Sequence, residues 1–220
     1  PSRWLKEEVS KSFLKNYPTI VINNGINLDQ FVNQQDLTLR RNLQIEDDVK
    51  VLLGVASVWT AAKGLQDFLR LSSLLPSNYR IILIGLTSTQ LKSVPPNITG
   101  IKRTETVGEL ASYYSMAEVF INLTYEDTFP TTNIEALACG TPVITYKTGG
   151  SPEIVDFPGG FTVEKGDLDA VVRQVIKIEK TKVLSETCRK RAELSYNQDD
   201  RFQEYYKLYK KMLSANCLAG

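Results

Sequence analysis

Apolar runs and helical periods alternate along almost the whole chain, and that alternation predicts the fold class. Ser2 is placed to cap a helix over residues 2–14, with Leu5, Val9 and Phe13 on one stripe. Residues 19–22 read as a short buried strand, ended by the turn signal Asn23-Asn24-Gly25. A helix is expected over residues 37–43 and a strongly apolar strand over 49–55. A loop over 56–64 then precedes an amphipathic helix over 65–75, stopped by Pro76. Strands follow at 79–84 and 98–101, a helix at 107–116, a strand at 118–122, a helix at 131–138 and a strand at 143–146. Residues 149–152 read as a flexible loop, and two or three helices fill 168–213.

Near-continuous apolar strands between helices imply a parallel sheet covered on both faces. The expected fold is therefore α/β, a doubly wound Rossmann-like parallel sheet, with residues 1–220 forming a single domain. Composition fits a folded globular chain, with 42% hydrophobic and 23% charged residues. The net charge of +1 gives no global field for nucleic acid. Cys139, Cys188 and Cys217 have no metal or redox spacing and read as free thiols in a reducing compartment, which makes a cytoplasmic setting the expectation. The chain opens Pro1-Ser2-Arg3-Trp4 without a methionine, which predicts a piece of a longer protein. It has no histidine, so a histidine base, a Ser-His-Asp triad or a histidine-bound metal is excluded within these residues.

In an open parallel sheet, ligands bind where strands end and helices begin. The most informative such loop runs from Tyr125 through Glu126, Asp127, Thr128, Phe129 and Pro130 into the helix at Thr131, Thr132, Asn133 and Glu135. Free N–H groups of the first turn, from about Thr131 to Asn133, favour a phosphate. Pro130 loses no hydrogen bond at a helix start. Asp127 and Glu135 stand eight residues apart and can flank one pocket. Carboxylates suit vicinal hydroxyls rather than phosphate. Phosphate at the helix end and hydroxyls on the acids together describe a sugar nucleotide.

This stretch resembles the E-x7-E signature of the retaining family 4 of GT-B-fold glycosyltransferases, with Asp127 in the first acidic place and Glu135 in the second. The resemblance implies that Asp127 faces the donor sugar, that Glu135 holds the ribose, and that the backbone near Phe129, Pro130, Thr131 and Thr132 holds sugar and phosphates. The loop from Ala56 to Gly64 is similar to the family's G-R-L-x-x-x-K-G text. Lys63 would then meet the donor diphosphate and stabilise the leaving nucleotide. Val58 stands where the family has arginine, which puts the two-cation clamp in doubt. Gly149 and Gly150, in Lys147-Thr148-Gly149-Gly150-Ser151-Pro152-Glu153, resemble the family's G-G-x-x-E loop, where paired glycines allow close backbone approach to a ligand. The segment around Asn24-Gly25-Ile26 and the tyrosine-rich end, with Phe202, Tyr205, Tyr206 and Tyr209, are similar to the family's interdomain stretch and closing helix.

The resemblance as a whole implies the C-terminal, donor-binding half of a two-domain enzyme. Its partners would be an NDP-sugar, an absent N-terminal domain in cis, and a glycan or lipid-linked acceptor. Nucleic acid is not expected, and peripheral membrane contact, at the inner face, rests on basic residues such as Lys207, Lys210 and Lys211. No cofactor or metal is expected. Asp167-Leu168-Asp169 matches a D-x-D metal motif, but before a helix it reads as a cap. The isolated chain is expected to bind donor weakly and turn over little. Two other readings stay open: a nucleotide-sugar-binding module without transfer activity, and an NDP-sugar 2-epimerase.

Overall fold

The computed structural model describes residues 1–34 and 37–217, with backbone alone at 37 and 215–217. The Cys217 thiol therefore lies outside the described residues. Among the described residues six strands form one all-parallel sheet: β1 Lys50–Val55, β2 Tyr79–Ile84, β3 Ile98–Ile101, β4 Val119–Asn122, β5 Val143–Tyr146 and β6 Gly160–Val163. Their spatial order is β3-β2-β1-β4-β5-β6, the doubly wound order.

Both faces of the sheet are buried, which is why its strands are apolar without polar alternation. Val51, Leu53, Ile82, Ile84 and Phe120 enter one core, and Leu52, Ile81, Leu83, Val119 and Ile121 enter the other. Each fully buried side chain of this size stabilises the fold by about 1.5–3 kcal/mol. Ten helices connect and cover the strands among the described residues: α1 Arg3–Ser10, α2 Leu37–Asn42, α3 Leu65–Ser72, α4 Ser88–Leu91, α5 Val107–Met116, α6 Thr131–Ala138, α7 Ser151–Ile154, α8 Leu168–Lys177, α9 Lys182–Tyr196 and α10 Gln198–Cys217. α2, α5, α6 and α9 pack into the first core, and α3 and α8 into the second. None of these helices is long and apolar enough to cross a membrane.

Caps fix several boundaries. Ser2 Oγ accepts from Leu5 N at 3.1 Å and starts α1. Asp167 accepts from Ala170 N at 2.8 Å and starts α8, so the D-x-D text is a cap. The buried Lys180 ammonium closes the end of α5 by donating to the Ser115 and Ala117 carbonyls at 2.7 and 2.9 Å. Burial pushes its pKa down to about 8. Cys139 and Cys188 are buried and unpaired, and burial pushes both thiols up to about 12.

The structure corrects several expectations. α1 ends at Ser10 rather than near residue 14. Ser12 Oγ bonds the Val9 carbonyl and accepts from Leu14 N, turning the chain, while Phe13 is 89% exposed and has no packing to extend the helix. Residues 19–22 pair with no strand; Ile20 is 61% exposed, and the nearest ladder contact is a single bridge from Ile26 to Asn197. Residues 149–152 are not a loose loop, because α7 begins at Ser151, which is fully buried. The α10 aromatics Phe202, Tyr206 and Tyr209, compared above with a closing helix, are exposed. Two elements were not anticipated: the edge strand β6, and α4, whose capping box joins Thr87 and Gln90.

A single 3₁₀ turn, Ala61–Lys63, precedes α3, and Gly64 links them at φ +75. A Cβ at Gly64 would collide with the Leu123 carbonyl. Gly64→Ala is expected to lower the unfolding free energy by at least about 2 kcal/mol, read from the urea midpoint. An unchanged midpoint would contradict this account of the turn.

Candidate functional site

After β1 the chain crosses to α3 on one face of the sheet, and after β4 it crosses to α6 on the other. Because β1 and β4 are neighbours, the two loops part at their carboxyl ends and leave a crevice. A cavity of about 320 Å³ occupies it. Val55, Ala56, Ile121 and Asn122 form its floor, and Lys63, Asp127, Pro130, Thr131 and Thr132 form its rim.

The two rims are tied together. The Ala62 carbonyl accepts from Tyr125 N at 2.8 Å and from Thr124 Oγ1 at 3.1 Å. Asn122 Nδ2 donates to Asn133 Oδ1 at 2.8 Å, joining the end of β4 to the first turn of α6. Lys63 Nζ lies 2.9 Å from Asp127 Oδ2. Both partners keep some exposure, so this pair contributes about 0–1 kcal/mol and is easily redirected toward a stronger anion. Asp127 Oδ1 accepts from Phe129 N at 3.1 Å, which shapes the turn into Pro130 and α6.

The structure thus brings Lys63, Asp127, Phe129, Pro130, Thr131 and Thr132 to one cavity. The Asn133 amide, expected to be free, bonds the Pro130 carbonyl, and the Phe129 amide, expected at the ligand, bonds Asp127. Thr131 and Thr132 carry the remaining start of α6, where helix N–H groups lack intrahelical acceptors. Glu135 does not line this cavity; it sits one turn along α6, where Tyr114 O–H donates to its Oε2 at 2.9 Å. Burial holds the Glu135 carboxyl above its usual range, against hydrogen bonds from Tyr114 and Thr131. The Tyr114 hydroxyl is pushed well up by its own burial and by the Glu135 charge.

The paired glycines serve the protein's own backbone. A Cβ on Gly149 would strike the Asp127 carbonyl, and one on Gly150 would strike the Thr128 carbonyl. Gly149, at φ +51, lines a neighbouring cleft that shares Asp127, whereas Gly150 lines neither. Val58 points to solvent at 55% exposure, and Trp59 turns inward, its Nε1 donating to the Ile84 carbonyl at 2.8 Å. Among the described residues lining the cavity, Lys63 is the only lysine or arginine. The floor residues Ile121 and Asn122 were missed; their place at the end of a central strand was the available signal.

The sequence profile described as "Glycosyl transferases group 1" matches residues 35–197. The chain belongs to this glycosyltransferase family. It is 26% identical over 208 residues to the capsular polysaccharide biosynthesis glycosyltransferase CapM of Staphylococcus aureus, covering 86% of this chain and 53% of CapM. The chain spans about half the length of the curated relatives it matches. Sucrose-phosphate synthase from Thermosynechococcus elongatus superposes with a TM-score of 0.85 at 23% identity, over 97% of this chain and 57% of the other. HepE of Anabaena, solved with UDP-glucose, gives 0.80 at 16% identity, over 94% and 61%. At these identities the likeness shows the fold: this group 1 chain has the architecture of one half of those larger molecules.

The raised Glu135 pKa has a signed consequence. The folded pKa lies above the unfolded value of about 4.3, so the ionised carboxylate weakens the fold as pH rises and costs nothing once protonated. Glu135→Gln, which can still accept from Tyr114, is expected to be more stable than the parent at pH 7. The difference should close as pH falls toward 4, followed by urea unfolding across pH; a pH-independent difference would contradict the burial assignment.

Proposed function

We propose that this chain is the C-terminal, donor-binding domain of a GT-B glycosyltransferase of the family 4 type, and that it binds an NDP-sugar for retaining transfer to a glycan or lipid-linked acceptor. The supporting observation is the crevice between β1 and β4, where the Lys63 ammonium and the start of α6 face one cavity. A diphosphate in that cavity would accept from the Thr131 and Thr132 amides and draw Lys63 partly away from Asp127. Asp127, freed of part of its pairing, would accept from donor-sugar hydroxyls, and Glu135, oriented by Tyr114, would accept from the ribose hydroxyls. As the sugar–phosphate bond breaks, the leaving nucleotide keeps the electron pair and gains negative charge. Lys63 and the α6 dipole stand where that charge develops. The acceptor oxygen forms the new glycosidic bond and passes its proton to the departing phosphate oxygen.

In this reading Lys63 and the backbone amides supply the positive charge on the donor, and no metal or cofactor takes part. An N-terminal domain in cis would close over the site to exclude water and align the acceptor. The name of the S. aureus relative supports polysaccharide synthesis as the setting; glycolipid synthesis and a cytoplasmic location at the inner membrane face belong to the same proposal. A second reading, a nucleotide-sugar-binding module without turnover, is favoured by one observation: Val58 faces solvent and leaves Lys63 as the lone cation of the cavity among the described residues.

Titration with UDP by calorimetry tests the site. Lys63→Ala is expected to weaken binding by about tenfold, the worth of a charge-assisted contact to phosphate. Glu135→Ala is expected to weaken it without unfolding the domain. Unchanged affinity in both variants would overturn the placement, and turnover by the full-length protein would decide between enzyme and module.

A further inference from the structure

A cleft of about 510 Å³ opens on the far side of Asp127 from the donor cavity, lined by Trp4, Glu126, Lys147, Thr148, Gly149 and Lys165 among others. Asp127 lines both hollows, so whatever occupies the second stands next to whatever Asp127 holds in the first.

The Trp4 wall is fixed in place. Glu153, from α7, accepts from the backbone N–H of Arg3 at 3.0 Å and of Trp4 at 2.9 Å, docking the first turn of α1 beside the glycine pair. Ser2, almost wholly buried, caps the same turn. A Cβ on Gly149 would lie 3.6 Å from Trp4 Cε3, so the indole packs over that glycine. Trp4 nevertheless keeps 38% of its surface exposed. Beside it, Thr148 is only 4% exposed, and its hydroxyl has no hydrogen-bond partner among the described residues.

Charge decides what class of ligand fits. Lys147 Nζ lies 3.3 Å from Glu164, and Asp127 is paired with Lys63. Among the described residues no ion pair engages the Lys165 ammonium or the Glu126 carboxylate, which leaves the cleft one cation and one anion in balance. A phosphate would need a surplus of positive charge. A saccharide does not: its hydroxyls donate to a carboxylate and accept from an ammonium, and its C–H face packs on an indole. We propose that this cleft is the acceptor's saccharide subsite, with Asp127 as the partition between acceptor sugar and donor. The assignment rests on the donor site proposed above.

The protein has two tryptophans, of which Trp59 lines the donor cavity and Trp4 the cleft, so a glycoside response at constant donor reports on Trp4. The chain is titrated with methyl glycosides of glucose, galactose, mannose and N-acetylglucosamine, with and without saturating UDP-glucose. At least one glycoside is expected to give a saturable change that persists with UDP-glucose present. The change should vanish in Trp4→Phe, shown to be folded by circular dichroism. Half-saturation should rise by about tenfold or more in Lys165→Ala, the loss of one hydrogen bond to a charged group. No saturable change, or a change that survives in Trp4→Phe, overturns the subsite. A change abolished by UDP-glucose overturns it too, by giving the cleft to the donor sugar. Calorimetry with UDP on the same sample separates the two claims: bound UDP without a glycoside response removes the acceptor subsite alone, and absence of both removes the donor reading with it.

Discussion

At the carboxyl ends of β1 and β4 the chain leaves the sheet toward opposite faces, and a crevice must open where the two crossovers part. The other features of the candidate site depend on this point of divergence. It faces the start of α6 and the Lys63 turn toward one volume. The Ala62 carbonyl, accepting from Thr124 and Tyr125, then holds the two loops at a fixed separation across it. Gly64 is part of the same constraint, since the Lys63 turn lies against the Leu123 carbonyl with no room for a side chain.

The chemistry laid over this geometry uses few charges. A partly exposed Lys63–Asp127 pair contributes little to stability, and that weakness suits a cation that has to exchange partners when an anion arrives. Glu135 is the contrasting case: it is ionisable, largely removed from water, and bonded by Tyr114, so it is held in place at some cost to the fold. Groups retained against stability in this way mark functional sites more often than groups that merely fill the core. The glycine pair at 149 and 150 lets α7 and α1 press against the Asp127 loop, so the first turn of the chain and the acidic loop are one packed unit.

The alternation of apolar runs and helices made the doubly wound sheet legible, because a strand buried on both faces has to be apolar at every position. Residues 98–101, 107–116, 131–138 and 143–146 were read with the bounds the structure gives. Where the reading failed, local pattern lost to tertiary context. Residues 19–22 have strand-like text but no neighbouring edge to pair with, and Phe13 continues a helical stripe that has nothing to pack on. In the site, Lys63 and Asp127 could be joined from text because both lie in strand-to-helix loops. The engaged amides of Phe129 and Asn133 could not, since they depend on side-chain and turn bonds that no spacing reveals. Asn122, Thr148 and Trp4 carry no motif, and only the folding of distant segments against one another brings them forward.

The central claim is that nucleoside diphosphate sits at the switch point between β1 and β4. A crystal structure of this chain soaked with UDP tests it most directly. The account places the β-phosphate within hydrogen-bond distance of the Lys63 ammonium and of the Thr131 or Thr132 amide, with the ribose toward Glu135. Diphosphate density in any other hollow, with the Lys63–Asp127 pair undisturbed, would contradict it.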